Sequence, residues 1–257
     1  MKLKSIKFNS IIFLLLFSFS IIISSCAPTR VVRTLKQGEK RLGGNIGGPL
    51  IKYNGTVIPV PFTSVYYAQG ISDTITVFGG IHTTSALFGN FQTEIGGTYD
   101  IWRNKDTTKG VTGTFALNTA FNINNKESLQ DVQNKPRTLN SFRLWPQIDA
   151  NAYYVYNKSK NHFLYYGIST WIETKSNRQS GLKQRAYVFV SPHVGTTLSN
   201  NLLNFTFELK YLAPYMNSWD PLVDYIRPVG KYGGLGFHIA ITKKLIKKEY
   251  IEEEIVE

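Results

Sequence analysis

From about residue 47 to residue 243, apolar and polar residues alternate with a period of two, the spacing that puts successive side chains on opposite faces of a strand. In 90–102, Phe91, Ile95, Tyr99 and Ile101 oppose Gln92, Glu94, Thr98 and Asp100. In 111–122, Val111, Phe115, Leu117 and Phe121 oppose Thr112, Thr114, Asn118 and Asn122. Residues 141–156 set Phe142, Leu144, Ile148, Ala150, Tyr154 and Tyr156 against Arg143, Gln147, Asp149 and Asn151. The alternation returns in 186–198, in 202–213 (Leu203, Phe205, Phe207 and Leu209 against Asn204, Thr206, Glu208 and Lys210) and in 232–243. Three further segments, 62–71, 74–82 and 162–173, are less regular; in the last, Tyr165, Tyr166, Trp171 and Ile172 leave both faces partly aromatic.

These nine segments are roughly 9–15 residues long. Strands of soluble proteins centre on about 5–6 residues, whereas about 9–11 tilted residues cross a bilayer core. The connections alternate in length. Ser72-Asp73, 103–110, Lys158–Asn161 and Ser199–Asn201 form a short series, and 83–89, 123–140, 174–184 and 214–229 a longer one. Outer-membrane barrels show this asymmetry, with short turns on the periplasmic side and longer loops outside. Parity then requires one more strand before residue 62. Residues 47–60 are the material available, although Pro49 and Pro59 suit an edge strand and Tyr53-Asn54-Gly55 carries a hairpin-turn signal. The expected fold is all-β: an antiparallel up-and-down transmembrane β-barrel of about ten strands, with eight or twelve as alternatives.

The apolar faces of the six regular strands contain no Asp, Glu, Lys or Arg, and Tyr99, Tyr154, Tyr156 and Tyr211 stand near strand ends, where an aromatic girdle would lie. With that face outward, Glu94, Asp100, Arg143, Asp149, Glu208, Lys210 and His238, together with His82 and His193, fill the lumen as a hydrogen-bonded, ion-paired network. Gly79-Gly80, Gly96-Gly97 and Gly233-Gly234 are read as points where strands bend.

The N-terminus is of a different kind. Lys2, Lys4 and Lys7 precede an apolar run over 11–23 that is too short to span a bilayer comfortably, a secretory signal pattern. Ile23-Ser24-Ser25-Cys26 resembles the lipobox of bacterial lipoprotein precursors. The resemblance implies cleavage before Cys26, lipidation of that residue, the only cysteine in the chain, and insertion of its acyl chains into membrane lipid. Residues 26–46 then read as a lipidated basic tether, 47–243 as the barrel and 244–257 as a charged periplasmic tail.

Composition adds constraints. The 257 residues are 42% hydrophobic and 14% aromatic, too rich for a disordered chain, and a single Cys excludes disulfide frameworks and cysteine-based zinc sites. Loss of residues 1–25 removes three Lys and no acid, so the formal net charge falls from +12 to +9. In a cell envelope that charge would meet anionic lipid headgroups and not nucleic acid, or would simply keep the loops soluble. No G-x-S-x-G elbow or metal-spaced His pair is present, and no metal or cofactor is called for.

Lipobox, basic tether and a run of Gly- and aromatic-rich strands together resemble the outer-membrane β-barrel lipoproteins of Bacteroidetes-type bacteria. The resemblance implies residence in the cell outer membrane, passage through the barrel-assembly machinery and no defined substrate. A structural or interaction role is the leading expectation. A narrow solute channel, an envelope-lipid hydrolase drawing on Ser191, His193, Glu208 and His238, and a soluble lipocalin-like ligand-binding lipoprotein are the alternatives.

Overall fold

The computed structural model describes residues 31–87, 89–122, 142–158, 161–173, 176–177, 183–184, 187–200, 202–218 and 224–245. Ten long strands run up and down in sequence order: β1 (Lys40–Tyr53), β3 (Phe62–Ser72), β4 (Ile75–His82), β5 (Asn90–Arg103), β6 (Lys109–Asn122), β7 (Phe142–Asn157), β8 (His162–Glu173), β11 (Tyr187–Ser199), β12 (Leu203–Asn217) and β13 (Tyr232–Leu245). Each is hydrogen-bonded antiparallel to the next, and β13 returns to β1 over the register Lys40↔Leu245 to Pro49↔Gly236, so the sheet closes into a barrel. Closure matters because a sheet without edges satisfies its own backbone donors and acceptors. The remaining elements sit at the long-loop end: β2 (Thr56–Pro59), a one-turn α1 (Thr83–Leu87), and the two-residue β9 (Ser176–Asn177) and β10 (Lys183–Gln184).

The tenth strand starts earlier than the alternation suggests. β1 begins at Lys40, so residues 40–46, expected in a tether, lie in the wall. Leu42 and Ile46 point outward and Asn45 inward, but Gly43, Gly44, Gly47 and Gly48 occupy the positions between and carry no hydropathy, which hides the period. The tip of β1 does turn as a hairpin: Asn54 (φ 49°) and Gly55 (φ 79°) connect Tyr53 to its partner Thr56. At the other end of the chain, Lys244 and Leu245 are still paired, with Arg41 and Lys40. Residues 1–30, and with them the signal segment and Cys26, lie outside the described residues, as do 246–257 of the tail.

Polarity is inverted relative to a water-soluble barrel. The outward positions are large and apolar, among them Val65, Ile95, Phe115, Ile148, Ile168, Phe207 and Ile241. Glu94, Asp100, Asp149, Glu208 and Lys210 are buried inside. Aromatic residues ring both ends: Tyr99, Trp102, Tyr154 and Tyr156 near the short turns, and Phe91, Phe121, Phe142 and Tyr232 near the long loops. A lipocalin-like wall would show the reverse arrangement.

Candidate functional site: a closed polar lumen

The lumen is filled at two levels that the described residues define. At the short-turn end, residues 31–39 enter the barrel mouth instead of trailing away from it. Val31, Val32 and Leu35 are buried, Val31 and Leu35 against Ala68, Phe78 and Ala116, and Val32 against Tyr153, Val155, Phe163 and Tyr165. An extended segment brings backbone polar groups with it, and these must find partners inside. The Leu35 amide donates to Thr76 Oγ1 (2.7 Å), while Thr98 Oγ1 and Thr112 Oγ1 donate to the carbonyls of Val31 (3.0 Å) and Val32 (2.7 Å). Thr34 Oγ1 donates to Asp100 (2.8 Å) and the Gln37 amide to Asp73 (2.9 Å). Arg33 lies over the rings of Tyr153 and Phe163 and donates to Asn161 (2.6 Å). The inward threonines of β4, β5 and β6 are therefore receptors for a plug made of the chain's own N-terminal segment.

The second level holds the buried charges of β12. Lys210 Nζ is 3.4 Å from Glu208 Oε1, and Tyr165 donates to Glu208 Oε2 at 2.9 Å. His238 is the register partner of Glu208 and is equally buried. His193 Nε2 is 2.7 Å from Asn151 Oδ1, and Gln147 donates to both carboxylate oxygens of Asp149.

Glycine positions explain how these contacts span the wall. Adjacent strands are about 4.8 Å apart, so two inward side chains two strands apart meet only across whatever stands between them. Asn151, Gly167 and His193 share one register row, as do Tyr165, Gly195 and Glu208, and Tyr66, Gly43 and Thr242. In each row the outer pair bonds over the central glycine: 2.7 Å, 2.9 Å and 2.8 Å respectively. A Cβ at Gly167 would stand 2.5 Å from Asn151 Oδ1, and at Gly195 or Gly43 it would stand 2.4 Å from the tyrosine ring. Gly80 and Gly96, expected to bend strands, do similar work; their missing side chains make room for Tyr66 and Phe78.

Of the residues expected to form one lumen network, Glu208, Lys210, His238 and Asp149 interact, and Glu94, Asp100 and Arg143 lie apart from them. Asp149 is held by Gln147 on the adjoining wall. Asp100 belongs to the plug and to Arg103 (3.0 Å), and Glu94 pairs with His82 (3.6 Å) on the opposite wall. Arg143 is half-buried at the long-loop end, opposite Ala120. The sequence reading missed Tyr165, Asn151 and the plug residues Val31 to Gln37. Tyr165 was visible as an aromatic on the wrong face of 162–173, the one signal that could have marked it.

Chemically this is a packed set of ions and amides in which some buried polar atoms, among them both side-chain polar atoms of Asn118 and Nδ2 of Asn151, have no hydrogen-bond partner among the described residues. Ser191 Oγ accepts the Ala213 amide (3.2 Å), and Nε2 of the neighbouring His193 is 2.7 Å from Asn151 Oδ1. Among the described residues, no group of three or more His, Cys, Asp or Glu is placed to hold a metal.

Fold and lumen define a class: closed ten-stranded antiparallel barrels, apolar outside and charged within. No family model matches the chain, and no curated protein sequence matches it. Among solved structures it is similar to an outer membrane channel from Pseudomonas putida F1, at 8% identity and a TM-score of 0.41, over 86% of this chain and 100% of that one. It is also similar to the outer membrane protein OprG from Pseudomonas aeruginosa (11% identity, TM-score 0.33, 84% and 99% of the two chains). A third is Ail, the attachment invasion locus protein of Yersinia pestis (9% identity, TM-score 0.27, 81% and 99%). Scores this low carry no inference about what the barrel binds or passes.

Proposed function

We propose that this chain is an integral outer-membrane β-barrel lipoprotein with a structural or interaction role, its lumen stoppered by its own N-terminal segment, and that Cys26 carries acyl chains that anchor it a second time. The observation that carries the reading is the inverted wall: Ile95 and Tyr166, 67% and 66% exposed, face out while Glu208 and Lys210, each 1% exposed, face in. Only an apolar solvent makes that arrangement favourable, because exposed apolar area costs about 25 cal/mol per Å² in water. The short-turn end then lies on the periplasmic side. Plug and anchor fit together, since Val31 is five residues beyond Cys26 and enters the mouth at that same end. A filled lumen favours anchoring or partner binding over passage of solutes.

Two independent attachments predict that Cys26→Ser leaves the protein in the membrane after carbonate extraction and still heat-modifiable on a detergent gel. Release of the variant into the supernatant would show that acyl chains alone held it and would end the barrel reading.

A lipid-facing wall also predicts a depth-dependent penalty for charge. Ile148→Arg, at mid-height on the outer face of β7, should lower stability in phospholipid vesicles by about 2–4 kcal/mol, and Tyr156→Arg near the strand's end by about 0–1 kcal/mol. Guanidinium titration of the folded band in vesicles measures both; equal penalties would mean that the outer face does not sense bilayer depth.

A further inference from the structure

The short-turn end of the barrel carries an excess of charge that the lumen does not use. Lys36, Lys40, Lys105, Lys109, Lys158, Lys243 and Lys244 are all exposed there, and among the described residues none of the seven forms an ion pair. The arginines of the same end are engaged: Arg41 with Glu39 at 2.7 Å, and Arg103 with Asp100 at 3.0 Å. Among the described residues, the exposed acids at that end are Asp73, which accepts the Gln37 amide, and Asp106. At the opposite end Lys52 and Arg227 both pair with Asp224, while Lys231 lies over the ring of Tyr232.

Lys40, Lys243 and Lys244 stand on β1 and β13, Lys105 and Lys109 in the β5–β6 turn and at the start of β6, Lys158 in the β7–β8 turn, and Lys36 in the segment before β1. They also stand at a definite height. Lys109 lies over the ring of Tyr154, 5.4 Å from its centroid, with Trp102, Tyr99 and Tyr156 in the same girdle. Lys243 pairs with Leu42, an outward-facing residue of the apolar band, and projects just beyond it. Aromatic rings of this kind settle at headgroup depth, and lysine stems extend along apolar surface to put their ammonium groups at the phosphates.

We propose that this lysine rim is a binding surface for the phosphate headgroups of anionic phospholipids in the leaflet that the short-turn end meets. The proposal rests on the membrane-spanning reading above and adds to it which lipid class is held, by which residues and in which leaflet. Unpaired ammonium groups at the height of a phosphate layer, continuous with a lipid-facing wall, complement an anionic headgroup, whereas a zwitterionic one carries its own countercharge. Each such lysine attracts an anionic surface independently, so the preference is shared among positions and is screened by salt.

Trp102 supplies the probe, because it faces outward inside the lysine rim. The full chain is reconstituted in phosphatidylcholine vesicles with 20% phosphatidylglycerol, with bromine placed on the acyl chains of one lipid or the other, and Trp102 emission is isolated by subtracting a Trp102→Phe variant. At low salt, brominated phosphatidylglycerol should quench Trp102 with roughly fivefold higher apparent affinity than brominated phosphatidylcholine. The preference should fall below about twofold in the variant Lys105→Gln/Lys109→Gln/Lys243→Gln/Lys244→Gln and in 0.5 M salt. Equal quenching by the two lipids in the unaltered chain, or a preference that survives the four substitutions, overturns the proposal. In both of those outcomes the lipids still quench, so the barrel reading stands. If neither lipid quenches Trp102, the chain is not embedded and the membrane reading itself fails. Selective retention by peptidoglycan sacculi with no lipid preference would assign the rim to a different anionic polymer, and would equally overturn the proposal.

Discussion

Lys210→Met is expected to destabilise the barrel more than any other single substitution in the lumen, by about 3–5 kcal/mol, because it leaves Glu208 ionised in a site that water does not reach. The side chains of the two residues are 2% and 0% exposed and 3.4 Å apart. Removing one member of such a pair sacrifices the attraction and keeps the desolvation cost of the other. Tyr165 still donates to Glu208 and His238 remains its register partner, which sets the expectation inside that range and not above it. The double variant Glu208→Gln/Lys210→Met removes both charges and should recover most of the loss. The measurement is the guanidinium midpoint for loss of the compact, heat-modifiable form in vesicles, with the two single variants and the double variant completing a cycle. A double variant no better than Lys210→Met would mean that the lumen senses the shape of these side chains and not their charge.

The double variant bears on function as well. If two neutral side chains serve as well as the ion pair, the charges act as filling that holds strands in register, as expected for a closed barrel. A pair kept for passing ions would instead need an aqueous path, and the plug below it and the aromatic pair Trp145–Trp171 above it, with ring centroids 5.6 Å apart, leave the lumen lined with packed side chains.

The wall was legible in the sequence because its rule is local. A period of two needs only neighbouring residues, and the placement of Ile95 outward and Glu94 inward follows from the alternation alone. The lumen contacts were less legible because they depend on register between distant strands. Gly195 gives no sign in its own segment that it stands between Tyr165 and Glu208, thirty residues before it and thirteen after. Gly167 is as silent about Asn151 and His193. Once the register is fixed, each glycine becomes a necessity, since a methyl group there would displace the side chain that crosses it. The N-terminal boundary failed for a related reason. Four glycines between residues 43 and 48 diluted the alternation of β1, and the plug before it, VVRTLKQGE, has no period of its own, because its partners are threonines on three different strands.

Those threonines lead to the second large effect. In the intact chain Ala116, on the inner face of β6, is buried in a cluster with Val31, Leu35, Ala68 and Phe78. A thiol placed there by Ala116→Cys, in a Cys26→Ser background, should therefore be protected from a water-soluble maleimide. Deleting residues 31–39 should raise its labelling rate about a hundredfold, equivalent to about 2.8 kcal/mol of protection. A milder change separates the plug's apolar contacts from its hydrogen bonds. Thr98→Val together with Thr112→Val keeps the side-chain volume but leaves the Val31 and Val32 carbonyls buried without their donors, at about 1–3 kcal/mol for each unsatisfied group. If the threonines hold the segment in place, that variant should label nearly as fast as the deletion while keeping the heat-modifiable form. Should it stay protected, burial of Val31, Val32 and Leu35 alone seats the plug, and the threonines only face it. Labelling of the intact chain at the rate of the deletion would mean that residues 31–39 spend their time outside the mouth, and the closed lumen on which the non-conducting role depends would be lost with it.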